Sequence, residues 1–221
     1  MIIKSKSYDD ARIFGVRKLT YVNSPITAYW IQDREFLIEH NLNSIEDLNR
    51  PGVYMLIGHN FRTGNNGVYV GKAEKDSVLS RVLSHKSSKK YEYEQYWNQV
   101  LFFTHKDNFD DDSNIALLED LLWQRVIDMG RVEAWNDEKP LKDKPELVKR
   151  DNSDIENLIS HCNAFAINIG CFALNPKHTE EEIKTTGTVE IINPKTKKVE
   201  KVSWVPEIQT PEFIVDTMVD T

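Results

Sequence analysis

Two short apolar segments, each bounded by glycine, constrain the fold of this chain more than any other part of its sequence. The first is PGVYMLI at residues 51–57, and the second is GVYVGKA at residues 67–73. Both are rich in β-branched and aromatic residues and have the length of single strands. The residues between them, 58–67, include several Gly and Asn, which tolerate the backbone of turns. The sequence therefore predicts a hairpin with strands at 52–57 and 68–70 and a long loop.

Alternation along the first predicted strand separates its side chains into two sets. Tyr54 and Leu56 point to one face, and their apolar neighbours point to the other. Whether Tyr54 and Tyr69 share a face depends on the register of the hairpin, which the sequence alone does not determine.

A short helix is predicted after the hairpin. Its apolar stripe consists of Val78, Leu79, Val82 and Leu83. Asp76 or Ser77 can cap its N-terminus, because both side chains accept hydrogen bonds from backbone N–H groups. Arg81 and His85 are four residues apart, so on a helix they project together from the flank of the stripe.

A third strand is predicted at 96–104, and a second helix follows N-cap candidates at 110–113. The apolar stripe of this helix consists of Ile115, Leu118, Leu122 and Val126. Glu119 interrupts the stripe, and burial of its carboxylate costs free energy unless a partner compensates. A Mg²⁺ ion is one such partner, because it prefers hard oxygen ligands. The alternatives are an edge position or pairing with an Arg, and Asp120 takes the role if the register differs by one.

The flanking segments predict further small elements. These are a hairpin within 20–31, a helical turn at 44–48, an amphipathic helix opened by a capping box at 153–156, and a hairpin within 186–204. The predicted fold class is α/β of the α+β type: a small three-stranded mixed or antiparallel sheet flanked by helices, with hairpin and helix extensions at both ends. The predicted domain bounds are 1–50 for an N-terminal extension, 51–136 for the core and 137–221 for the linker, helix and hairpin.

Charge is distributed unevenly along the chain. The total is −7, but residues 50–106 hold nine basic and four acidic residues, a net charge of +5 that leaves −12 on the remainder. A basic segment can hold a polyanion while the acidic remainder limits non-specific binding. The basic candidates for nucleic-acid contact are Arg62, Lys86, Lys89 and Lys90. The alternative is that these lysines form an ordinary solvated loop.

The composition argues against several classes of protein. No apolar run is long enough to span a bilayer, and the first residues lack the apolar core of a signal peptide. Two cysteines, Cys162 and Cys171, argue against a disulfide scaffold and favour a cytoplasmic protein. With His161 and His178 they match no compact zinc pattern.

The two tyrosine segments, the Arg-x-x-x-His helix and the Glu-bearing helix together resemble the GIY-YIG nuclease family. The resemblance covers about residues 50–136. VYVGKA at 68–73 is similar to the incision module of bacterial excision-repair nucleases. The longer pattern of PGVY at 51–54, WN at 97–98, FTHKD at 103–107 and LE at 118–119 is similar to stand-alone prokaryotic proteins of the family.

The resemblance implies a metal-dependent endonuclease that hydrolyses phosphodiester bonds in DNA. By position, it assigns the catalytic and metal-binding roles to Tyr54, Tyr69, Arg81, His85 and Glu119, with Mg²⁺ or Mn²⁺ as the cofactor. Two departures are that the first motif reads Gly-Val-Tyr and that the tyrosines are fifteen residues apart.

Lys72 is a further catalytic candidate, and supporting roles follow for Gly71 and Asn136. Lys72 could contact the phosphate or lower the pKa of a nearby tyrosine. Gly71 allows close backbone approach, as any turn glycine does. Asn136 is the best match to the family's asparagine, although a capping or turn role is equally consistent with its position.

Several questions stay open at this level. The sequence does not decide which tyrosine or histidine acts as the general base, or whether the substrate is DNA or RNA. An alternative function is a catalytically inactive nucleic-acid-binding or assembly module with the same fold. The C-terminal hairpin could pair with a second copy, so a homodimer is a further expectation.

Overall fold

The structure is a computed structural model that describes residues 3–7, 15–21, 24–85, 92–105, 112–136, 152–176, 188–192 and 199–203. The chain divides into two compact units, residues 1–175 and residues 176–221. The first unit includes the predicted N-terminal extension, the predicted core and the amphipathic helix. Most of the predicted linker, residues 137–150, lies outside the described residues.

The described part of the first unit contains one mixed sheet of seven strands. The strands are β1 (Ile3–Ser7), β2 (Val16–Tyr21), β3 (Ile26–Ile31), β4 (Gly52–Asn60), β5 (Asn65–Ala73), β6 (Trp97–His105) and β7 (Glu133–Ala134). Their order is β1-β2-β3-β6-β4-β5-β7, and all neighbours are antiparallel except β5 and β7. The fold class is therefore α+β, as predicted.

The predicted size of the sheet was too small. The predicted N-terminal hairpin forms as β2 and β3, but β3 also bonds to β6 along its whole length, from Ile26 opposite His105 to Ile31 opposite Val100. β6 thus has a strand on each side, since β4 is its other neighbour. The three strands of the predicted core are the centre of a larger sheet.

Helices cover both faces of this sheet. They are α1 (Arg34–Glu39), α2 (Val78–Ser84), α3 (Asp112–Met129) and α4 (Asn152–Asn168), with 3-10 helices at Glu46–Asn49 and Glu92–Gln95. The predicted helices are confirmed, and Ser77 is the N-cap of α2, where its hydroxyl accepts a hydrogen bond from Ser80 N at 3.0 Å. No described helix is long and apolar enough to cross a membrane.

The alternation predicted for the first strand is confirmed by the two cores. Val53 and Met55 are buried on one face with residues of α3 and α4. Tyr54 and Leu56 are buried on the other face with residues of α2. The sheet therefore separates the surroundings of α2 from those of α3, and this separation determines on which side each candidate functional residue lies.

The predicted long loop of the β4–β5 hairpin is wrong. β4 continues to Asn60 and β5 begins at Asn65, so only residues 61–64 turn. The Glu133 carboxylate explains the extension, because it accepts hydrogen bonds at 3.0 Å from both Asn60 Nδ2 and Asn65 Nδ2. Hydrogen bonds from Thr63 and then from these two amides hold the pKa of Glu133 down at about 2. A residue about 70 positions away thus ties the hairpin end together.

Glu133→Ala should release this end of the hairpin. We expect backbone amides of residues 60–66 to exchange with solvent roughly fivefold faster, because loss of the hydrogen bonds to this half-exposed carboxylate removes about 1 kcal/mol of local stability. Hydrogen exchange followed by mass spectrometry measures this, with Glu39→Ala, at an exposed position on α1, as the control. Unchanged exchange at residues 60–66 would show that Glu133 does not hold the hairpin.

The second unit contains the predicted C-terminal hairpin. Its strands are β8 (Thr188–Ile192) and β9 (Val199–Ser203), which pair antiparallel from Thr188 opposite Ser203 to Ile192 opposite Val199. The predicted turn between them lies outside the described residues.

Candidate active site

The register of β4 and β5 places the two motif tyrosines on the same face of the sheet. Leu56 lies opposite Tyr69, and Tyr54 lies opposite Gly71. Residues opposite each other point to the same face, and Tyr54 shares a face with Leu56. The ring centroids of Tyr54 and Tyr69 are 6.3 Å apart. The question that the sequence left open is thereby answered.

Gly71 is required by the position of the Tyr54 ring. A Cβ atom at Gly71 would lie 2.5 Å from Tyr54 Cζ, 2.5 Å from Tyr54 Oη and 2.7 Å from Tyr69 Cε1. The phenol of Tyr54 therefore lies across the bare backbone of β5. Gly71 is therefore needed for the approach of the Tyr54 ring to β5, and not for a turn or for the approach of a ligand.

The hydroxyl of Tyr54 is the centre of a polar cluster within the α2-facing core. Its Oη lies 2.7 Å from His85 Nε2, and the Arg81 guanidinium also donates to it. Tyr54 is fully buried and His85 is 6% exposed, whereas Arg81 is exposed. Burial, followed by the nearby Tyr69, raises the pKa of Tyr54 well above its ordinary value, and Arg81 opposes the rise. The flank of α2 thus places Arg81 and His85, as a predicted pair, next to the hydroxyl of Tyr54.

His85 has a second set of partners that sequence reasoning missed. The 3-10 helix Glu92–Gln95 places Glu94 Oε1 at 3.5 Å and Tyr93 Oη at 3.4 Å from His85 Nδ1. Glu94 is 4% exposed, and the Arg34 guanidinium donates to its carbonyl oxygen. Burial lowers the pKa of His85, and Glu94 opposes this. The available signal was the segment YEYEQYW at 91–97, in which acidic residues alternate with aromatic ones.

An aromatic stack continues from the cluster toward the edge of the sheet. The Tyr69 and Tyr93 rings are stacked at 4.5 Å and 12°, and Tyr93 is stacked with Trp135 at 6.4 Å and 13°. Trp135 in turn covers Gly67, where an added Cβ would lie 2.1 Å from the indole. The stack fixes the ring of Tyr69 beside His85, whose centroid is 5.4 Å away.

Asn136 has a structural role at the free side of β5. Its Oδ1 accepts from Val70 N at 3.0 Å, and its Nδ2 donates to Val70 O at 2.7 Å. The side-chain amide therefore substitutes for a neighbouring strand at the residue between Tyr69 and Gly71. Its contribution is to hold the backbone that carries these two residues.

Glu119 lies on α3, which covers the other face of the sheet. The predicted desolvation is confirmed, since Glu119 is 7% exposed and burial raises its pKa to about 7, with Lys72 opposing. Lys72 Nζ is 3.4 Å from Glu119 Oε2 and 2.7 Å from Glu74 Oε1. The alternative residue, Asp120, is also buried. The partner of Glu119 is a lysine rather than the arginine that the sequence offered as an alternative.

The two sides of the candidate site interact electrostatically across β5. Lys72 lies opposite Val53, whose side chain belongs to the core under α3. Even so, the charge of Glu119 contributes to raising the pKa of Tyr54 from the other face. β5 is thus the element that joins the tyrosine side of the site, with Tyr54, Tyr69, Arg81 and His85, to the carboxylate side.

The single carboxylate of Glu119 fits a magnesium or manganese ion as a protein ligand. Within the described residues, no group of three or more His, Cys, Asp and Glu side chains converges. Magnesium typically keeps several waters and binds one or two carboxylates, so a single Glu is an adequate protein ligand. Lys72 is shared with Glu74 and compensates Glu119 only in part, because burial still keeps the pKa of Glu119 near 7. A divalent cation would complete the compensation.

Of the predicted basic contacts, Arg62 is the described one, and it is separate from this cluster. Arg62 lies at the exposed tip of the hairpin, in residues 61–64, while Tyr54 is near the start of β4. Six residues of strand separate Tyr54 from the tip, roughly 20 Å. Lys86, Lys89 and Lys90 lie outside the described residues.

Comparison of the chain with protein-family models found no match. Comparisons with curated proteins and with solved structures also found no match.

Proposed function

We propose that this protein is a metal-dependent endonuclease that hydrolyses phosphodiester bonds in DNA. The observation that carries the proposal is the Tyr54 hydroxyl, which is bonded to His85 Nε2 and to the Arg81 guanidinium. It brings a proton acceptor and a fixed positive charge to one oxygen atom. Hydrolysis of a phosphodiester needs both: a group that takes the proton of water and a charge that stabilises the phosphoryl oxygens.

Each residue of the cluster has a role in this proposal. Arg81 is exposed and binds the scissile phosphate, because its forked donors match phosphate oxygens. Tyr54 and His85 remove the proton from the attacking water, and Tyr69 lines the same face. Lys72 supplies positive charge on the far side of β5, where its Nζ lies 2.7 Å from Glu74 Oε1. A Mg²⁺ or Mn²⁺ ion on Glu119 would supply charge neutralisation at the phosphate and acidify a bound water.

The resemblance to GIY-YIG nucleases supports the same assignment by position. The family's tyrosine pair, helix arginine and glutamate fall on Tyr54, Tyr69, Arg81 and Glu119. Three of these four side chains interact with one another on the α2 side, and the fourth affects the pKa of Tyr54.

DNA is the proposed substrate of the protein, and hydrolysis of RNA would follow the same chemistry. The net charge of +5 on residues 50–106 favours a polyanion. Arg62 at the hairpin tip would contact the backbone about 20 Å from the cleavage point, and Lys86, Lys89 and Lys90 would follow the cluster in sequence.

Arg81→Ala should lower the rate of Mg²⁺-dependent DNA cleavage by about 10²- to 10³-fold, the typical cost of losing one donor to a developing oxyanion. The measurement is single-turnover cleavage of end-labelled linear, branched and single-stranded DNA, with RNA of the same sequence in parallel. Arg62→Ala is the matched control, since it removes the same charge away from the cluster. We expect Arg62→Ala to weaken binding and leave the single-turnover rate at saturation unchanged.

Full activity of Arg81→Ala would contradict the role of Arg81. Absence of cleavage by the wild-type protein on every substrate, with Mg²⁺ and with Mn²⁺, would contradict the nuclease itself.

A second candidate is a nucleic-acid-binding module without turnover. The Lys72–Glu119 pair favours it, because the ammonium lies 3.4 Å from the carboxylate and supplies part of the charge that a metal would supply. The expected result for this function is salt-dependent DNA binding that is the same with Mg²⁺ and with chelator. Metal-dependent single-turnover cleavage would exclude it.

A further inference from the structure

The hydrogen bonds around Tyr54 determine which nitrogen of His85 carries its proton. A guanidinium has donors and no acceptor, so the Tyr54 oxygen accepts from Arg81. The single hydroxyl proton of Tyr54 then points at His85 Nε2, 2.7 Å away. When Nε2 accepts this proton, the neutral imidazole carries its own proton at Nδ1. The direction of the whole chain of hydrogen bonds follows from the arginine at one end.

Glu94 lies at the other end of this series of hydrogen bonds. Its Oε1 is 3.5 Å from His85 Nδ1, the nitrogen that carries the proton. An ionised carboxylate only accepts, so it stabilises a proton at Nδ1 and disfavours the other tautomer. Tyr93 Oη, at 3.4 Å from the same nitrogen, can accept as well. Both residues lie in one turn of 3-10 helix, so a single local structure sets the surroundings of Nδ1.

Burial of the Glu94 side chain costs free energy, which calls for a functional reason. Glu94 is 4% exposed, and its Oε2 has no hydrogen-bond partner within the described part of the chain. A buried, incompletely bonded carboxylate costs free energy. Arg34 compensates part of this through its charge and by donating to the Glu94 carbonyl oxygen, and its guanidinium lies 4.3 Å from the Trp97 ring centroid.

We propose that Glu94 is a positioning residue that keeps His85 in the Nδ1–H tautomer, so that Tyr54 and His85 together accept the proton of the attacking water. The proposal rests on the proposed function and names its general base. Water that reaches Tyr54 Oη from the side of the exposed Arg81 forms the new P–O bond and gives its proton to that oxygen, while the Tyr54 proton passes to His85 Nε2. The resulting imidazolium lies beside the Glu94 carboxylate. The leaving oxygen takes a proton from solvent, and His85 returns its proton to solvent through Tyr54.

The charged and titratable groups around His85 come from five other elements or turns of the chain. They are Tyr54 on β4, Tyr69 on β5, Arg81 on α2, Arg34 on α1, and Tyr93 and Glu94 on the 3-10 helix. Arg81 and Arg34 disfavour the imidazolium, and Glu94 favours it. Glu94 is therefore the group whose removal should lower the pKa of His85.

The test is Glu94→Gln, which keeps the shape and removes the charge. Nitrogen NMR of ¹⁵N-histidine-labelled protein reports the tautomer and the titration of His85 without any turnover. We expect the wild type to show Nδ1–H, and Glu94→Gln to populate Nε2–H and to titrate at lower pH. Single-turnover cleavage should fall about 10²-fold at saturating DNA, within the range for general acid–base catalysis, with binding unchanged. Glu39→Gln, the same change at an exposed position, should leave both readouts at wild-type values.

Two results would overturn the proposal. One is a wild-type spectrum with the proton of His85 at Nε2, which needs no variant to be folded. The other is a Glu94→Gln protein with the wild-type tautomer and the wild-type rate. If the wild type cleaves nothing but its His85 tautomer changes with Glu94→Gln, the proposed function fails and the positioning by Glu94 is supported. Glu94→Asp, which withdraws the carboxylate by one methylene, should give a smaller change of the same sign.

Discussion

Glu119→Gln is expected to abolish metal-dependent cleavage and at the same time to stabilise the metal-free protein by about 3 kcal/mol at pH 8. Loss of the carboxylate removes the protein ligand of the cation, and we expect a rate decrease of at least roughly 10³-fold. The gain in stability comes from burial, which raises the pKa of Glu119 from 4.5 to about 7. Gln occupies the same volume and carries no charge to desolvate.

The sign of the stability effect follows from the protons bound by each state. Between pH 4.5 and 7 the unfolded chain has lost the Glu119 proton while the folded protein retains it. Stability is therefore lost as pH rises through this window, and above pH 7 the folded protein carries the full cost of a buried carboxylate. The variant and the wild type should differ by less than about 1 kcal/mol at pH 5 and by about 3 kcal/mol at pH 8.

Urea unfolding in the presence of chelator measures this difference at the two pH values. Glu39→Gln, at an exposed position, should give no pH-dependent change. A Glu119→Gln protein that is less stable than the wild type at pH 8 would mean that the pair with Lys72 outweighs the cost of burial, and would remove the reason for a cation there. Added Mg²⁺ should stabilise only the wild type, in proportion to its occupancy.

Gly71→Ala is expected to destabilise the protein by about 2–4 kcal/mol, at or above the upper end of what overpacked sites cost. The added Cβ would lie 2.5 Å from the Tyr54 ring and 2.7 Å from Tyr69, so a buried ring must move. Movement of Tyr54 breaks its 2.7 Å bond to His85, and we expect at least a 10²-fold loss of cleavage. Urea unfolding and single-turnover cleavage measure the two effects.

A double-mutant cycle separates the ring contact from a general effect of the added methyl. In a Tyr54→Ala background the space above residue 71 is open toward β4, so Gly71→Ala should cost at least about 1.5 kcal/mol less than in the wild type. Equal costs in both backgrounds would show that Tyr54 does not lie across Gly71.

The local elements could be predicted because each depends on neighbouring residues. Alternation separated Tyr54 from Val53, and the Ser77 cap located α2, which places Arg81 and His85 together. Glu119 could be singled out because a carboxylate in an apolar stripe is unusual, and its side chain is buried in the structure. These are consequences of periodicity, which a single sequence contains.

What the sequence could not predict depends on residues distant along the chain. The register that aligns Tyr54 and Tyr69 follows from a short turn, and that turn is stabilised by Glu133 from beyond α3. The sheet is wider than predicted because β3 pairs with β6, 69 to 79 residues away along the chain. Glu94 meets His85 through the folding of the chain between α2 and β6, and no local pattern links the two residues.

Metal-dependent nuclease activity is tested most directly by nicking of supercoiled plasmid DNA by the purified protein, with Mg²⁺ or with chelator, for the wild type and Glu119→Gln. We expect the wild type to nick the plasmid only with Mg²⁺, and Glu119→Gln, shown by its unfolding curve to be folded, to leave the plasmid intact. Equal nicking by both proteins, or nicking that persists in chelator, would contradict this expectation.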